Sequence, residues 1–348
     1  MDNASFPPRG KSIICLKSCS TPPLFRKNCL NFVKLLAAFQ VAAGHLTQHL
    51  EPPMGELAQR YLYFFRGVPV FFAVSGFLIW FSIARSASCG QYLVKRFKRI
   101  YPELWLAVAI ELLVLVSSYR DWNAKDLLLF ALGQGSVFQF WTPASLRGYG
   151  VGTPNGTLWT ICVTIQFYLA AWPFYRLMHG KRMRAWVSGW FVSCGGSIVF
   201  QWVFESALGR ETLTKLYGQT LIRYFWLFYV GMFVAEWYER VLPLCVKYAW
   251  VFLLAAMCFF HTSADIYAGY YVFWSLFLIL GALGFAYRFP QIQIKTDISY
   301  GLFLYQMTVV NFFVSHGWTG TWSVTIAAAV LSLLAALAST LLAGRALR

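Results

Sequence analysis

Long apolar segments, separated by short polar or basic stretches, recur from about residue 30 to residue 344. A membrane-spanning helix needs about 20 predominantly apolar residues. Ten segments meet this requirement, at about 29–50, 62–84, 100–118, 157–178, 184–205, 220–239, 246–262, 268–287, 297–316 and 321–344. The pattern predicts an all-α, polytopic membrane protein with about ten transmembrane helices.

A further apolar segment, 126–141, is shorter and contains Gly133 and Gly135. Cytoplasmic loops are enriched in Lys and Arg, which places the densest basic stretch, 95–99, inside. If 126–141 crossed the membrane, the basic stretch 176–184 would lie outside. We therefore expect 126–141 to be re-entrant or to lie along the outer interface, with both termini cytoplasmic.

Composition supports a bilayer as the solvent, because 59% of the residues are hydrophobic and only 12% are charged. No polar stretch is large enough for a second domain. We predict a flexible basic cytoplasmic tail, 1–27, followed by a single transmembrane domain, 28–348. The tail lacks an apolar segment with a small-residue cleavage site, so the first spanning helix is expected to serve as the insertion signal.

The net charge of +16 comes from cations in short loops between apolar segments. Membrane topology explains this distribution better than a nucleic-acid partner does. The eight cysteines are scattered, and three residues separate Cys15 from Cys19 with no histidine cluster nearby. Neither a metal site nor a disulfide framework is predicted.

The first apolar segment carries an ionisable histidine, His45. Lys34 precedes it by eleven residues, so on a helix both project from one face, roughly 16 Å apart along the axis. Ionisable residues at membrane depth are costly and tend to mark functional sites, and an imidazole can act as a base near neutral pH. A buried histidine that only hydrogen-bonds a neighbouring helix is the alternative.

The stretch "NFVKLLAAFQVAAGH", residues 31–45, resembles the first helix of the membrane acyltransferase-3 family, which O-acylates bacterial surface and secreted glycans. Four further stretches resemble the family's motifs in the expected order and extend the resemblance over nearly the whole chain. They are "RGVPVFFAVSGFLI" (66–79), "VKRFKRIYPELW" (94–105), "NGTLWTICVTIQFYLAAWPF" (155–174) and "DISYGLFLYQMTVV" (297–310).

The resemblance implies that His45 is the catalytic centre, either as the base for a glycan hydroxyl that attacks a thioester or as a transient acyl carrier. Lys34 replaces the family's arginine, and we expect it to bind an anion. The expected co-substrate is a cytosolic acyl-coenzyme A, most simply acetyl-coenzyme A, with no permanently bound cofactor. Arg96 and Arg99 match the arginines expected to hold its phosphates. The alternative is that they only set topology and contact anionic lipids.

On the substrate side, the resemblance points to Ser75, Asn155, Trp159 and Gln306. Ser75 belongs to a small-residue motif that allows either close helix packing or a narrow substrate passage. Trp159 is suited either to stacking on a sugar ring or to an interfacial aromatic belt.

Two further positions depart from the family pattern: Thr164 stands in place of a glutamate, and Gln306 in place of a late histidine. We predict that Thr164 takes part in catalysis by hydrogen-bonding the imidazole, without the charge that would stabilise an imidazolium. The predicted function is transfer of an acyl group, expected to be acetyl, to a hydroxyl of a surface or secreted glycan or a lipid-linked oligosaccharide. The predicted location is the bacterial inner membrane. A catalytically impaired relative that binds or transports its ligand is the alternative.

Overall fold

The computed structural model describes residues 27–207, 211–260 and 269–346, and all regular structure in these ranges is helical. The predicted tail therefore lies outside the described residues, apart from Lys27. In chain order the α-helices are α1 (Leu30–Leu50), α2 (Glu56–Leu62), α3 (Gly67–Ala84), α4 (Cys89–Ser118), α5 (Ala124–Gln134), α6 (Trp159–Met178), α7 (Met183–Trp202), α8 (Glu211–Tyr217), α9 (Leu221–Glu236), α10 (Tyr238–Lys247), α11 (Ala249–Cys258), α12 (Gly269–Arg288), α13 (Ser299–Ser315) and α14 (Trp322–Ala346).

Each predicted apolar segment overlaps a helix, and the helices make this chain an integral, polytopic membrane protein. By length and composition, five described stretches suffice to cross a membrane: Glu56–Ala84, Cys89–Ser118, Met183–Glu205, Tyr271–Arg288 and Trp322–Leu342. A sixth is added if α10 and α11 form one broken span. Two other predicted spans, α9 and α13, are only 16 and 17 residues long.

The predicted helix at 246–262 corresponds to α11, and a helix that was not predicted, α10, precedes it; the two meet at a bend of 70°. The buried residues of α10 are Tyr238, Leu242 and Cys245, which repeat at helical spacing and so form one face. Its other face is largely exposed and carries charges. The amphipathic α10 and the uniformly apolar α11 therefore require different surroundings, and the chain turns between them at Tyr248.

The basic stretch 95–99, expected to be a loop, is helical, because α4 begins at Cys89 and runs for 30 residues. Ser88 caps this helix, since its side chain accepts a hydrogen bond from the backbone N–H of Gln91. The early start places Arg96 and Arg99 one turn apart on the same helix face.

The segment 126–141 forms the short helix α5, followed by irregular chain and a 3₁₀ turn at Ala144–Leu146. With 11 residues, α5 falls well short of the roughly 20 that a span requires. Asp126 ties it to the following loop by accepting hydrogen bonds from the backbone and the hydroxyl of Ser145.

Helix α3 lies at the centre and packs closely against α9. A Cβ on Gly76 of α3 would collide with the Phe228 carbonyl, and one on Gly231 of α9 with the Ala73 carbonyl. Small residues thus let the two backbones approach, as is common between membrane helices. In contrast, α7 and α14 expose most of their apolar side chains, as expected for helices that face lipid.

Candidate active site

Two cavities lie among the central helices. The first, which we call the basic cavity, is lined by residues that include Lys34, Ser75, Arg96, Arg99 and Thr164. It encloses about 970 Å³, including the space at its open mouth. Helices α1, α3, α4, α6 and α13 all contribute to its walls.

The second cavity, which we call the histidine cavity, is lined by His45, Trp159 and two arginines, Arg66 and Arg223. It encloses about 1040 Å³, again including open space at the mouth. Lys34 and His45 thus line different cavities, although both project from α1.

The two cavities share a wall. Val68 of α3, Thr160 of α6 and Phe303 of α13 line both of them. The compartment that holds the cations of α4 therefore adjoins the one that holds His45.

His45 is oriented by Gln306, which is fully buried on α13. Nδ1 of His45 lies 3.3 Å from Oε1 of Gln306. An amide oxygen can only accept a hydrogen bond, so this contact requires a proton on Nδ1; in the neutral imidazole the lone pair is then on Nε2. Gln306, expected on the substrate side, therefore contacts the imidazole, and the contact leaves Nε2 able to accept a proton.

The helix that carries His45 is fixed to the start of α3 by Gln40, one turn and a half earlier. Oε1 of Gln40 accepts a hydrogen bond from the backbone N–H of Gly67 at 2.7 Å, and its Nε2 donates to the Leu62 carbonyl. His49, one turn after His45, stacks on it with ring centroids 6.2 Å apart. These contacts define the position of the imidazole along the cavity wall.

In the basic cavity, Lys34 and Arg99 converge on Asp297, which lies two residues before the start of α13. Lys34 forms an ion pair with its carboxylate, and Arg99 Nη2 lies 3.4 Å from the same oxygen. Burial would raise the pKa of Asp297, but Lys34, a hydrogen bond from Ser299 and Arg99 together hold it below its usual value. Asp297 is therefore ionised, and the charge of Lys34 is largely neutralised.

Arg96 lies on the same helix face, one turn before Arg99, and is more buried. Its guanidinium stacks between the rings of Tyr92 and Tyr168, at 6.0 and 5.9 Å from their centroids, and donates to Ser82 Oγ at 3.1 Å. Among the residues that the structure describes, Arg96 makes no ion pair. Its charge is thus held in place by aromatic rings without being neutralised by a carboxylate.

Thr164 lines the basic cavity, and the structure does not bring it to His45. Its hydroxyl donates to the Thr160 carbonyl one turn earlier, at 2.7 Å. The predicted partner of the imidazole is therefore replaced by Gln306, from a helix far away in the sequence. Ser75 also lines the basic cavity, which favours a passage over packing alone.

Trp159 opens α6 and lines the histidine cavity, with its ring 5.2 Å from that of Tyr224. Asn155, in contrast, is buried away from both cavities. Its amide donates to the Leu304 carbonyl at 2.9 Å and accepts from the hydroxyl of Thr157 at 2.7 Å. Asn155 therefore holds the loop before α6 against α13 and has no free group to offer a substrate.

Sequence reasoning did not single out three charged residues of these cavities: Asp297, Arg66 and Arg223. Asp297 and Arg66 are the first residues of two stretches that resemble the family motifs. Neither lies deep inside an apolar segment, where a charged residue would have been unusual. Arg223 stands near the start of an otherwise apolar helix, and this position was the one available signal.

The acyltransferase domain family, acyltransferase 3, matches residues 27–341 of this chain. The chain belongs to this family. It is therefore a member of a family of membrane O-acyltransferases. The matched range covers every helix that lines the two cavities.

Among curated proteins, the chain is 29% identical over 321 residues to Nodulation protein 10 of Rhizobium leguminosarum bv. viciae, covering 85% of this chain and 86% of that protein. It is 27% identical over 160 residues to the O-acetyl transferase of Shigella phage Sf6, covering 42% of this chain and 45% of the relative. It is 24% identical over 127 residues to Peptidoglycan O-acetyltransferase OatA of Listeria monocytogenes, covering 34% of this chain and 20% of OatA. No solved structure matches the chain.

Because the chain belongs to this family, the two cavities are its candidate acyl-transfer site. The residues that could hold an anionic co-substrate are those of the basic cavity, and the residue that could accept a proton is in the neighbouring cavity. In the described part of the chain, no cluster of three or more histidine, cysteine or acidic residues is arranged to hold a metal ion.

Proposed function

We propose that this protein transfers an acetyl group from cytosolic acetyl-coenzyme A to a hydroxyl of a surface or secreted glycan or a lipid-linked oligosaccharide. The observation that carries the proposal is the shared wall between a cationic cavity and a cavity that contains an oriented imidazole. The names of two relatives, an O-acetyl transferase and a peptidoglycan O-acetyltransferase, support acetyl as the group and a glycan as the acceptor.

The donor occupies the basic cavity in this proposal. Coenzyme A carries several phosphate charges, and Arg99, with a side chain 51% exposed at the mouth, is placed to meet them. Arg96 lies one turn closer to the start of α4 and supplies a second positive charge for the same donor. The thioester then reaches the shared wall formed by Val68, Thr160 and Phe303.

The chemistry takes place at His45. An acceptor hydroxyl in the histidine cavity attacks the thioester carbonyl, and its proton passes to Nε2 of His45. The new C–O bond forms as the C–S bond breaks, and the coenzyme A thiolate leaves with the proton held by the imidazolium. Gln306 keeps Nδ1 as the donor to its amide oxygen throughout, so the ring does not rotate out of register.

The proposed topology retains ten membrane crossings with both termini cytoplasmic in the bacterial inner membrane. The short helices α9 and α13 cross within the bundle, where neighbouring helices bury much of their surface. Single cysteines placed at 85–99 and at 176–183 should then resist impermeant thiol reagents added outside. Labelling at 176–183 from outside would show that 126–141 crosses as well.

The decisive assay uses purified protein, acetyl-coenzyme A labelled in the acetyl group, and a panel of glycans and lipid-linked oligosaccharides. We expect label to appear on a hydroxyl of at least one acceptor, and to be absent with His45→Gln. Binding of acetyl-coenzyme A without any transfer or hydrolysis would support the binding or transport alternative instead.

A further inference from the structure

A third cavity lies between α1, α11 and α12, and we call it the apolar groove. It encloses about 850 Å³, including the space at its open mouth. Phe64 and Phe65, from the short chain between α2 and α3, complete its wall. Every side chain described in this lining is apolar or aromatic. The wall therefore suits a hydrocarbon chain, because a sugar hydroxyl would find no hydroxyl, amide or charged side chain there.

The apolar groove is open to the surrounding lipid. Leu254 and Met257 of α11 are 62% and 53% exposed, and Leu36 of α1 is 42% exposed. Apolar side chains that a membrane protein leaves exposed within its helices face hydrocarbon. A lipid chain can therefore enter the groove sideways from the bilayer without crossing water.

One short segment, 63–66, separates the apolar groove from the histidine cavity. Tyr63 and Arg66 line the histidine cavity, whereas Phe64 and Phe65 line the groove. Helix α1 also contributes to both, since its earlier turns line the groove and its later turns carry His45. A molecule with a polar part and an apolar part could thus lie in both compartments at once.

The two compartments follow each other in depth. In the proposed orientation α1 runs outward, so His45 lies about 14 Å closer to the outer face than Leu36 does. The ring of Phe64 lies 5.5 Å from that of Phe260, just beyond the outer end of α11. At the other end of the groove, the ring of Trp250 lies 6.0 Å from that of Phe285. The groove therefore runs inward from the level of segment 63–66.

We propose that the acceptor is a lipid-linked glycan whose hydrocarbon chain lies in the apolar groove while its glycan lies in the histidine cavity. A lipid of the outer leaflet has its polar part at the outer interface and its chain directed inward, which is the order of the two compartments. This inference rests on the proposed function, because it assigns the histidine cavity to the acceptor.

The benefit of the groove is positional. Lipid tails are as apolar as the groove, so moving a chain from the bilayer into it gains little hydrophobic free energy. A chain held in the groove instead keeps the attached glycan beside His45 and raises its effective concentration there. A free glycan still fits the histidine cavity without this hold, so it remains a weaker acceptor.

An ordinary phospholipid is the other occupant that an apolar wall admits. It would account for the composition of the lining, but it gives no reason for the groove to share segment 63–66 with the histidine cavity. The donor does not account for the groove either, because coenzyme A enters the basic cavity and its acetyl group has no chain.

The kinetic test uses one oligosaccharide in two forms, free and attached to an isoprenoid chain, with the protein in lipid nanodiscs. Leu254→Trp and Leu36→Trp narrow the groove from two helices and keep its surface apolar. Each should raise the KM of the lipid-linked form about fivefold, as expected when a chain loses several close packing contacts. The KM values of the free form and of acetyl-coenzyme A should not change.

The matched control is Leu334→Trp on α14, because Leu334 is 57% exposed and lies outside the groove lining. Bilayer partitioning alone lowers the KM of a lipid-linked acceptor, and this contribution is the same in all three variants. An unchanged KM of the lipid-linked form in both groove variants, or an equal rise in Leu334→Trp, would overturn the inference.

Photocrosslinking tests the groove without transfer. The His45→Gln protein is mixed with the lipid-linked form carrying a photoreactive group midway along its chain. We expect crosslinks on α11 at 250–257, suppressed by unlabelled lipid-linked oligosaccharide and not by the same amount of phospholipid. Crosslinks spread evenly over α7 and α14, or suppressed equally by phospholipid, would refute a site for the acceptor's chain.

The two measurements separate this inference from the proposed function. Specific crosslinks on α11 would support the groove even if no transfer to any glycan were found. Acetyl transfer without specific crosslinks, and with a KM of the lipid-linked form that neither groove variant changes, would keep the function and refute the groove.

Discussion

The basic cavity and the histidine cavity are similar in size, about 970 and 1040 Å³, and both contain at least two cations. They differ in the groups that lie beside those cations. In the basic cavity, Asp297 contacts both Lys34 and Arg99 and reduces the net charge. The histidine cavity contains an imidazole oriented by Gln306.

This difference suits the basic cavity to binding the donor and the histidine cavity to the acyl-transfer reaction. A polyanionic donor needs several contacts at an open mouth, and an ion-paired lysine there contributes mainly by holding α1 against the start of α13. Proton transfer needs one base with a defined lone pair, which the hydrogen bond to a buried amide provides. Substitutions on the two sides should therefore change different kinetic constants.

The largest effect is expected for His45→Gln. This change keeps a hydrogen-bonding side chain and removes the base, so kcat should fall by about 10² or more while acetyl-coenzyme A still binds. Single-turnover transfer and equilibrium binding of the donor measure the two properties separately. Activity near the wild-type level would end the catalytic assignment of the residue.

The next largest effect is expected for a substitution of Arg99, which tests whether this residue binds phosphate or contacts lipid. Arg99→Gln should raise the KM of acetyl-coenzyme A by about ten- to a hundredfold, since a charge-assisted hydrogen bond contributes about 1.5–3 kcal/mol. Lys98→Gln is the matched control, because Lys98 is exposed, neighbours Arg99 and lies outside the cavity lining. Equal effects of both variants, or an effect on expression alone, would favour a role in topology or lipid binding.

A smaller effect is expected for Gln306→Leu, which removes the hydrogen-bond acceptor of Nδ1 and keeps the side-chain volume. Net hydrogen bonds of this kind contribute about 1 kcal/mol, so kcat should fall about fivefold with both KM values unchanged. Gln306→Glu keeps the acceptor and should retain more activity than Gln306→Leu. A rise in either KM, or equal loss in both variants, would mean that Gln306 acts on substrate or on folding rather than on the imidazole.

The smallest effect is expected for Thr164. Since its hydroxyl donates to its own helix and lines the basic cavity, Thr164→Val should change kcat by about twofold or less. Thr164→Glu, which restores the family's carboxylate, should chiefly raise the KM of acetyl-coenzyme A through repulsion of its phosphates. An increase in kcat for Thr164→Glu would instead place this position beside the imidazole during the reaction.

The helix positions followed from apolar segment lengths because each helix buries or exposes to lipid a continuous apolar surface. The start of α4 could not be predicted from the length of an apolar segment, because its first turns carry the cations of 95–99 and lack an apolar pattern. His45 and Gln306 are 261 residues apart in the sequence, so no local sequence pattern predicts their contact. Likewise, the pairing of Lys34 with Asp297 is set by how α1 packs beside α13.

The most direct test of two-sided transfer uses proteoliposomes in which the protein has one orientation. Labelled acetyl-coenzyme A is supplied only on the side of the α4 N-terminus, and a membrane-impermeant glycan acceptor only on the other side. We predict that label appears on the acceptor across the intact membrane, and that exchanging the two substrates between the compartments abolishes transfer. Transfer that requires donor and acceptor on the same side would contradict the assignment of the two cavities.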